Sequence, residues 1–444
     1  MAEAVATLST SQVGARLRPA WPLYVLLLGF PLWWVLGLGA IIWPVLAVPM
    51  LFSLIMRERI TVPRGFGIWV LFLLWMLASA SQLDVPQRGI IFIYRAAVYF
   101  SATVLFLYVY NASAESLPTR RVLMLVAAFW MIAVTGGLLG ILFSQVSFRT
   151  PVEMLMPQGL LSNSFVYELV HPRFAQVQEF LGYPVPRPTA PFVYTNEWGA
   201  NIALLTPLAI AAWVQLRNGF RKTLIRVMLV ASVIPIVVSL NRGLWLGLSI
   251  GLVYASFRLA AQGRGRALGA MLAGLVIVAT LVLTTPLKDL VTERLATPHS
   301  NQGRLALYQE ATEGILESPL VGFAAPRPSE RDANAPSVGT HGQLWLVLFS
   351  HGIPAAALFI GWFLYAFWRT REGGSGTRFW TNVALLIALV QMPYYGMVPV
   401  PLHILMIAAA LAFREAVEDR PGAPGGSPQP ARRRPYLSAG ASWS

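Results

Sequence analysis

The sequence predicts an all-α protein that crosses a membrane many times, and three observations carry this prediction. The 444 residues are 56% apolar and only 12% charged, against about 25% charged residues in an ordinary soluble domain. The mean hydropathy is +0.61. Apolar stretches long enough to cross about 30 Å of hydrocarbon recur along the chain. Together these features exclude a water-soluble enzyme.

About twelve apolar stretches are predicted to form transmembrane helices packed as a bundle. Several are shorter than the usual ~17–20 residues, so the count is roughly eleven to thirteen. The stretches are 21–37, 38–56, 66–81, 89–110, 122–143, 198–216, 223–240, 243–257, 267–285, 343–367, 379–395 and 398–413.

The positions of Lys and Arg predict the orientation of these spans in a plasma or inner membrane. With the N-terminus inside, 22 of the 33 basic residues fall on cytoplasmic segments, where such residues accumulate beside membrane spans. This asymmetry accounts for the net charge of +14, so the bilayer is an expected partner and nucleic acid is not. Both termini are expected in the cytoplasm.

The chain divides into a cytoplasmic N-terminal tail over 1–20, a transmembrane domain over 21–414 and a disordered cytoplasmic tail over 415–444. The last segment is rich in Pro, Gly, Ser and Arg and cannot bury enough apolar surface to fold. No internal repeat is evident, which argues against an inverted-repeat transporter. Because there is no cysteine, disulfides, thiol nucleophiles and cysteine-ligated metals are excluded.

Two connections are much longer than the others, and the predicted orientation makes both extracytoplasmic. They cover about 144–197 and 286–342, lengths that are uncommon for structureless connections unless they are functional. The second has apolar residues at helical spacing, with Asn301 as a candidate N-cap and Gly322 after the end. We therefore expect these connections to be partly helical, with a surface helix from about 303 to 317.

Basic residues on the outer side or at membrane depth are informative because burying them is costly. Arg242 lies in a tight outer turn, where it could reach lipid head groups or grip an anionic group with its planar guanidinium. Arg304 opens the predicted surface helix, whose free N–H groups favour an anion, although an arginine at such a position, taken alone, is more often a solvated first-turn residue. Arg95 lies within a span and needs a partner that the sequence does not identify.

His341 lies where the second long connection enters a span. A histidine at such a junction is either a packing residue or, because neutral imidazole accepts a proton from a hydroxyl, a general base. His351, further along the same span, is interpreted as structural. No metal or cofactor is predicted, because the outer carboxylates include no Asp-x-Asp pair that could hold a cation on a diphosphate, and nucleotide-binding and serine-hydrolase motifs are missing.

Three groups of segments resemble the O-antigen ligase and O-antigen polymerase superfamily. The first is Asn301-Gln-Gly-Arg-Leu-Ala-Leu-Tyr-Gln-Glu-Ala311, followed by Glu317-Ser-Pro-Leu-Val-Gly322 and by His341 ahead of Gly352-Ile353. The second, Ser239-Leu-Asn-Arg-Gly-Leu-Trp-Leu246, is similar to that family's Ser-x-x-Arg-Gly step. The third, Pro191-Phe-Val-Tyr-Thr-Asn196, resembles the family's segment, from a phenylalanine to an asparagine, that leads into its middle span. The matches cover about 187–365, and their order makes the set more specific than each motif alone.

The resemblance implies a metal-independent transferase that acts at the extracytoplasmic face on a glycan linked to undecaprenyl pyrophosphate. It implies that Arg242 and Arg304 bind the pyrophosphate and that His341 is the base that activates the acceptor hydroxyl. Two fixed arginines can stabilise such a leaving group without a metal. One departure from the family is Gly342, where a small polar residue is usual after the histidine.

Further candidate substrate-binding residues are Arg187, Asn196 and Arg95. The acceptor hydroxyl could belong to a glycan, a lipid or a protein, and the sequence does not choose among them. An alternative function is a transporter or flippase of a lipid-linked or anionic envelope precursor, with Arg95 and Arg242 as pathway charges. A noncatalytic scaffold is a third hypothesis.

Overall fold

A computed structural model describes residues 20–179, 183–284, 287–296, 299–332, 336–372 and 376–418, and the side chains of 299–304 lie outside the described set. The chain is 72% helical, which confirms the all-α class. The first helices are α1 Trp21–Leu28, α2 Phe30–Leu36, α3 Ile42–Ile55, α4 Phe66–Ala78, α5 Pro86–Asn111, α6 Thr119–Leu142, α7 Pro151–Leu155, α8 Gln158–Leu161 and α9 Ser164–Val170.

A short antiparallel hairpin of β1 Ala175–Gln178 and β2 Val185–Pro188 interrupts the helices, with Gln176 opposite Arg187. The helices that follow are α10 Thr195–Gln215, α11 Phe220–Ala231, α12 Val233–Val238, α13 Arg242–Ala261, α14 Gly265–Leu283, α15 Leu287–Ala296, α16 His299–Glu317, α17 Gln343–Thr370, α18 Thr377–Gln391 and α19 Val400–Glu418.

Within the described ranges, five helices are long and apolar enough to cross a membrane, namely α5, α6, α10, α13 and α17. This agrees with an all-α polytopic membrane protein. Other predicted spans are broken. The 21–37 stretch forms α1 and α2, separated at Gly29, and the 223–240 stretch forms α11 and α12, separated at Ser232. Pro31 and Pro235 follow these breaks closely, and proline removes a backbone donor and clashes with the preceding turn.

Connections predicted to be cytoplasmic lie together at one end of the bundle. The guanidinium of Arg414 donates to the carbonyls of Val109 and Leu117 at 3.2 and 3.1 Å. The side chain of Gln215 donates to the hydroxyl of Thr377. These contacts join α19 to the end of α5 and the end of α10 to the start of α18.

The other end, which we term the loop end, holds the described residues of 144–194, 284–342 and 392–399. Here Arg88, at the start of α5, anchors the second long connection. Its guanidinium donates to the carbonyls of Phe323, of Ala325 at 2.5 Å and of Pro326 at 3.3 Å. Arg88 also pairs with Asp84, and the hydrogen bond from Arg88 lowers the pKa of that exposed carboxyl.

A break in α17 completes this anchor. Gly352 has a left-handed backbone with φ of 81°, a conformation that favours glycine, so the helix cannot continue its own hydrogen bonds there. The carbonyls of Phe349 and Ser350 instead accept from the backbone N–H groups of Phe323 and Ala324 at 3.0 and 2.6 Å. The connection after α16 is therefore fixed to the middle of α17.

The predicted surface helix exists and ends at Glu317 as expected, but it begins earlier. Since α16 starts at His299, Asn301 lies inside the helix and the prediction that it is the N-cap is wrong. Arg304 is the sixth residue of α16, not its opening residue. The effect of a helix dipole falls off within the first turn, so the N-terminus of α16 adds little at Arg304.

The predicted tails fall largely outside the described residues. Residues 1–19 and 419–444 are not among those described. The helix α19 continues to Glu418, a few residues past the predicted start of the C-terminal tail at 415.

Candidate active site

Arg242 is the first residue of α13 and is half-buried. The preceding Asn241 caps the helix, because its side-chain oxygen accepts from the N–H of Leu244 at 3.3 Å. The amide nitrogen of Asn241 donates to the carbonyl of Thr195 at 3.1 Å, which ties the turn to α10. Leu240 has φ of 49°, a left-handed conformation that costs a non-glycine residue about 1–2 kcal/mol. The turn is therefore strained and must be held by its surroundings.

Two buried arginines hold this turn. The Nε of Arg187 donates to the carbonyl of Ser239 at 2.6 Å, and its Nη1 donates to Gln178 at 2.6 Å. The Nε of Arg294, on α15, donates to the carbonyl of Leu240 at 3.2 Å. Arg187 therefore acts on the turn itself, and we interpret it as a positioning residue.

Arg294 is not among the residues that the sequence predicts for this site. No motif surrounds it, and an arginine in a polar stretch of a long connection is usually solvated, so no signal singled it out. In the structure it is 5% exposed. Together with Arg187 and Arg242 it gives the 239–242 turn three guanidinium groups, an arrangement that favours a multiply charged anion.

Tyr395 joins the Arg242 turn to the His341 region. A Cβ at Gly243 would lie 2.5 Å from the hydroxyl oxygen of Tyr395, so the first turn of α13 lies directly against that ring. The carbonyl of Tyr395 accepts from the N–H of Gln343 at 2.8 Å. Arg242 and His341 are thus on two segments that share Tyr395 as a neighbour.

His341 is half-buried just before α17. The hydroxyl of Thr340 donates to the carbonyl of Ser337 at 2.6 Å, and the same oxygen lies 3.4 Å from Nδ1 of His341. Because that hydroxyl proton is already donated, the long contact fits a proton on Nδ1 of the imidazole. In the neutral ring Nε2 is then the basic nitrogen.

Tyr308 links α16 to His341. Its hydroxyl donates to the carbonyl of His341 at 3.1 Å and lies 3.5 Å from the carbonyl of Pro393. Its ring stacks on Trp345, with centroids 4.6 Å apart. Arg304 lies four residues before Tyr308, and residues at this spacing share one face of a helix. The backbone of α16 therefore carries Arg304 on the face that contacts the His341 segment.

Gly342 explains the departure from the family pattern. Its φ is 130°, and a Cβ there would lie 2.4 Å from the carbonyl oxygen of Pro393. Any side chain would have to displace the 392–399 loop, so this chain has no room for a polar residue after the histidine.

The remaining candidates lie nearby in the fold. Asn196 is half-buried on the first turn of α10, next to Thr195, whose carbonyl binds Asn241. Arg95 lies on α5, ten residues into that helix. In the described part of the chain, no three His, Asp or Glu side chains form a group that could hold a metal ion.

The fold and these contacts define an integral membrane protein whose loop end carries arginines and a histidine on adjoining segments. Residues 227–360, less than half of the chain, match the family model described as O-antigen ligase, which confirms the resemblance seen in the sequence. The matched range includes Arg242, Arg304 and His341. The match supports an O-antigen ligase- or polymerase-like membrane function. A comparison with curated proteins found no match.

Proposed function

We propose that this protein is a membrane glycosyltransferase of the O-antigen ligase and polymerase type. It transfers a glycan from an undecaprenyl-pyrophosphate carrier to an acceptor hydroxyl, without a metal, at the extracytoplasmic face of the inner membrane. Arg242 and Arg304 bind the pyrophosphate, and His341 activates the acceptor.

One observation carries this proposal. The hydroxyl of Tyr308 binds the carbonyl of His341 at 3.1 Å, and Arg304 lies one helical turn before Tyr308. Tyr395 contacts both the His341 segment and the first turn of the Arg242 helix. Three residues far apart in the chain are therefore carried by segments in mutual contact.

The chemistry follows from the groups present. Nε2 of His341 takes the proton of the acceptor hydroxyl as its oxygen forms a bond to the anomeric carbon of the donor. The bond from that carbon to the phosphate oxygen breaks, and its electron pair leaves with the pyrophosphate. Negative charge develops on this leaving group in the transition state, where the guanidinium groups of Arg242 and Arg304 stabilise it. Attack opposite the leaving group inverts the anomeric centre.

The test is transfer from a purified undecaprenyl-pyrophosphate-linked glycan to a defined acceptor in proteoliposomes. Removing a general base or an anion-binding arginine is expected to lower the rate about 10²–10⁴-fold, so His341→Ala, Arg242→Ala and Arg304→Ala should each be severely impaired. Arg331→Ala is the matched control, because Arg331 forms an exposed ion pair with Glu313 in the same region. EDTA should leave the rate unchanged.

Near-wild-type turnover by His341→Ala and Arg304→Ala would refute the assignment of these residues. The transporter alternative makes a different prediction in the same vesicles. It requires the lipid-linked glycan to change leaflets without any new glycosidic bond, which a leaflet-specific glycosidase protection assay detects.

A further inference from the structure

Arg95 points into the bundle and not towards lipid. On α5, Ile90, Ile93 and Phe100 are 61%, 68% and 40% exposed and mark the outward face. Arg95 follows Ile93 by two residues, which rotates it by about 200° around the helix. Its side chain therefore belongs to the opposite face, with the buried residues Phe92 and Tyr99 on either side of it.

This inward face meets the first turns of α17, the helix that begins just after His341. The hydroxyl of Tyr99 accepts from the side chain of Gln343 at 2.9 Å. The imidazole of His351 lies 6.2 Å from the ring of Phe92 and 6.4 Å from that of Tyr99, measured between centroids. Arg95 is the tenth residue of α5, about 14 Å along the helix from its start at the loop end, and it lies one helical turn nearer the loop end than Tyr99.

The guanidinium of Arg95 has no hydrogen bond or ion pair to any described residue. Its Nη1 is buried without a partner, and no carboxylate in the described ranges pairs with it. Glu197 is an acid in the same part of the bundle, but it forms no ion pair with Arg95. Its carboxylate accepts instead from the N–H of Val193 at 3.2 Å. An arginine in this setting normally has a counter-charge, and an ionisable residue inside a membrane protein marks a functional site by default.

The neighbouring histidine does not supply that charge. The hydroxyl of Ser79 donates to the carbonyl of Met76 at 2.6 Å and lies 2.7 Å from Nδ1 of His351. Because the hydroxyl proton is already donated, Nδ1 of His351 carries the ring proton and donates it to Ser79. The other nitrogen, Nε2, is a buried acceptor without a partner among the described residues. A cation and a neutral acceptor thus face the same interior space.

We propose that Arg95 binds the phosphate that is directly attached to the polyprenol of the carrier lipid. This inference rests on the proposed function and extends it, because it assigns a third arginine, contributed by the fifth helix, to the inner side of the pyrophosphate site. A phosphate supplies the negative charge that Arg95 lacks, and the polyprenyl chain continues into the hydrocarbon region. Arg242 and Arg304 then bind the phosphate nearer the glycan.

Binding of undecaprenyl phosphate to the purified full-length protein tests this proposal without acceptor or turnover. Charged hydrogen bonds of about 1.5–3 kcal/mol correspond to roughly 10–100-fold in affinity. Arg95→Met should therefore weaken undecaprenyl phosphate binding at least about 10-fold, Arg95→Lys should weaken it less, and binding of undecaprenol should not change. Phosphatidic acid should show no dependence on Arg95.

The thermal midpoint of the lipid-free protein separates binding from a structural role. Removal of an uncompensated buried charge does not destabilise a protein, so Arg95→Met should keep or raise the midpoint. The control is Arg258→Met, because the half-buried guanidinium of Arg258 donates to Asn382 at 3.3 Å. Arg258→Met should lower the midpoint and leave phosphate binding intact.

Unchanged affinity of Arg95→Met for undecaprenyl phosphate would overturn the proposal, as would a loss of midpoint equal to that of Arg258→Met. An equal Arg95-dependent response to phosphatidic acid would overturn the assignment to the carrier. If Arg95-dependent binding is found and glycan transfer is not, the carrier site stands and the proposed transferase function fails. If glycan transfer is found but does not depend on Arg95, the proposed transferase function stands and the assignment of Arg95 to the carrier phosphate fails.

Discussion

Tyr308→Phe tests whether α16 positions His341. The change removes one hydroxyl that donates to the carbonyl of His341 at 3.1 Å and keeps the ring that stacks on Trp345. The contact to Pro393 at 3.5 Å is too long to count as a second full bond. Among the described contacts of the Tyr308 hydroxyl, the loss is therefore one hydrogen bond, worth about 0.5–1.5 kcal/mol in net stability.

The effect on turnover should be larger than this loss of stability suggests. A displacement of about 1 Å in a catalytic group can lower the rate about 10²-fold, and the hydroxyl of Tyr308 joins the helix of Arg304 to the backbone of His341. We expect kcat to fall about 10–100-fold while KM for the lipid-linked donor changes little. The reason is that His341 acts on the acceptor proton in the transition state and not on donor binding.

The assay is steady-state glycan transfer with separate determination of kcat and KM, together with the thermal midpoint in the same detergent. Tyr183→Phe is the control. The hydroxyl of Tyr183 donates to Glu293 at 2.9 Å, and Tyr183 itself is 42% exposed. The reasoning is refuted if Tyr308→Phe retains the kcat of the wild type, or if its defect lies entirely in KM.

Three further expectations follow from the geometry. Gly342→Ser should lower both the thermal midpoint and the rate of glycan transfer. A Cβ at this position would lie 2.4 Å from the carbonyl oxygen of Pro393, and overpacking costs about 1–3 kcal/mol. A wild-type midpoint and rate would show instead that the 392–399 loop moves freely. Arg187→Ala should destabilise the protein by about 1–3 kcal/mol, because it leaves the buried carbonyl of Ser239 without its arginine donor. An unfolding midpoint that matches the wild type would argue against the positioning role of Arg187. A reporter fused at residue 330 should be extracytoplasmic and one at 375 cytoplasmic, and the reverse labelling would contradict the predicted orientation.

The fold class could be predicted from the sequence because hydrocarbon imposes simple requirements on length and apolarity. Every predicted stretch contains helix in the described ranges, and the end of α16 at Glu317 coincides with the prediction. The interruptions could not be predicted from apolar content alone. Gly29 and Ser232 separate short helices within apolar stretches, and neither changes the hydropathy that defined the spans.

The candidate site was predictable by residue type but not by contacts. An outer arginine and a histidine at a span entrance stand out in an apolar chain, whereas Tyr308 and Tyr395 do not, since aromatic residues are common throughout it. Their roles depend on a loop between α18 and α19 that no local pattern connects to His341. Arg294 was missed for the same reason, because its partner carbonyl at Leu240 lies 54 residues earlier in the chain.

Crosslinking between residues 304 and 341 tests the central claim most directly. The chain has no cysteine, so Arg304→Cys and His341→Cys give a clean double variant for a short thiol-to-thiol crosslinker in native membranes. If α16 carries residue 304 to the His341 segment, the double variant should crosslink efficiently, and undecaprenyl pyrophosphate should slow the reaction. Absence of the crosslink, while each cysteine alone is labelled readily, would contradict a shared site.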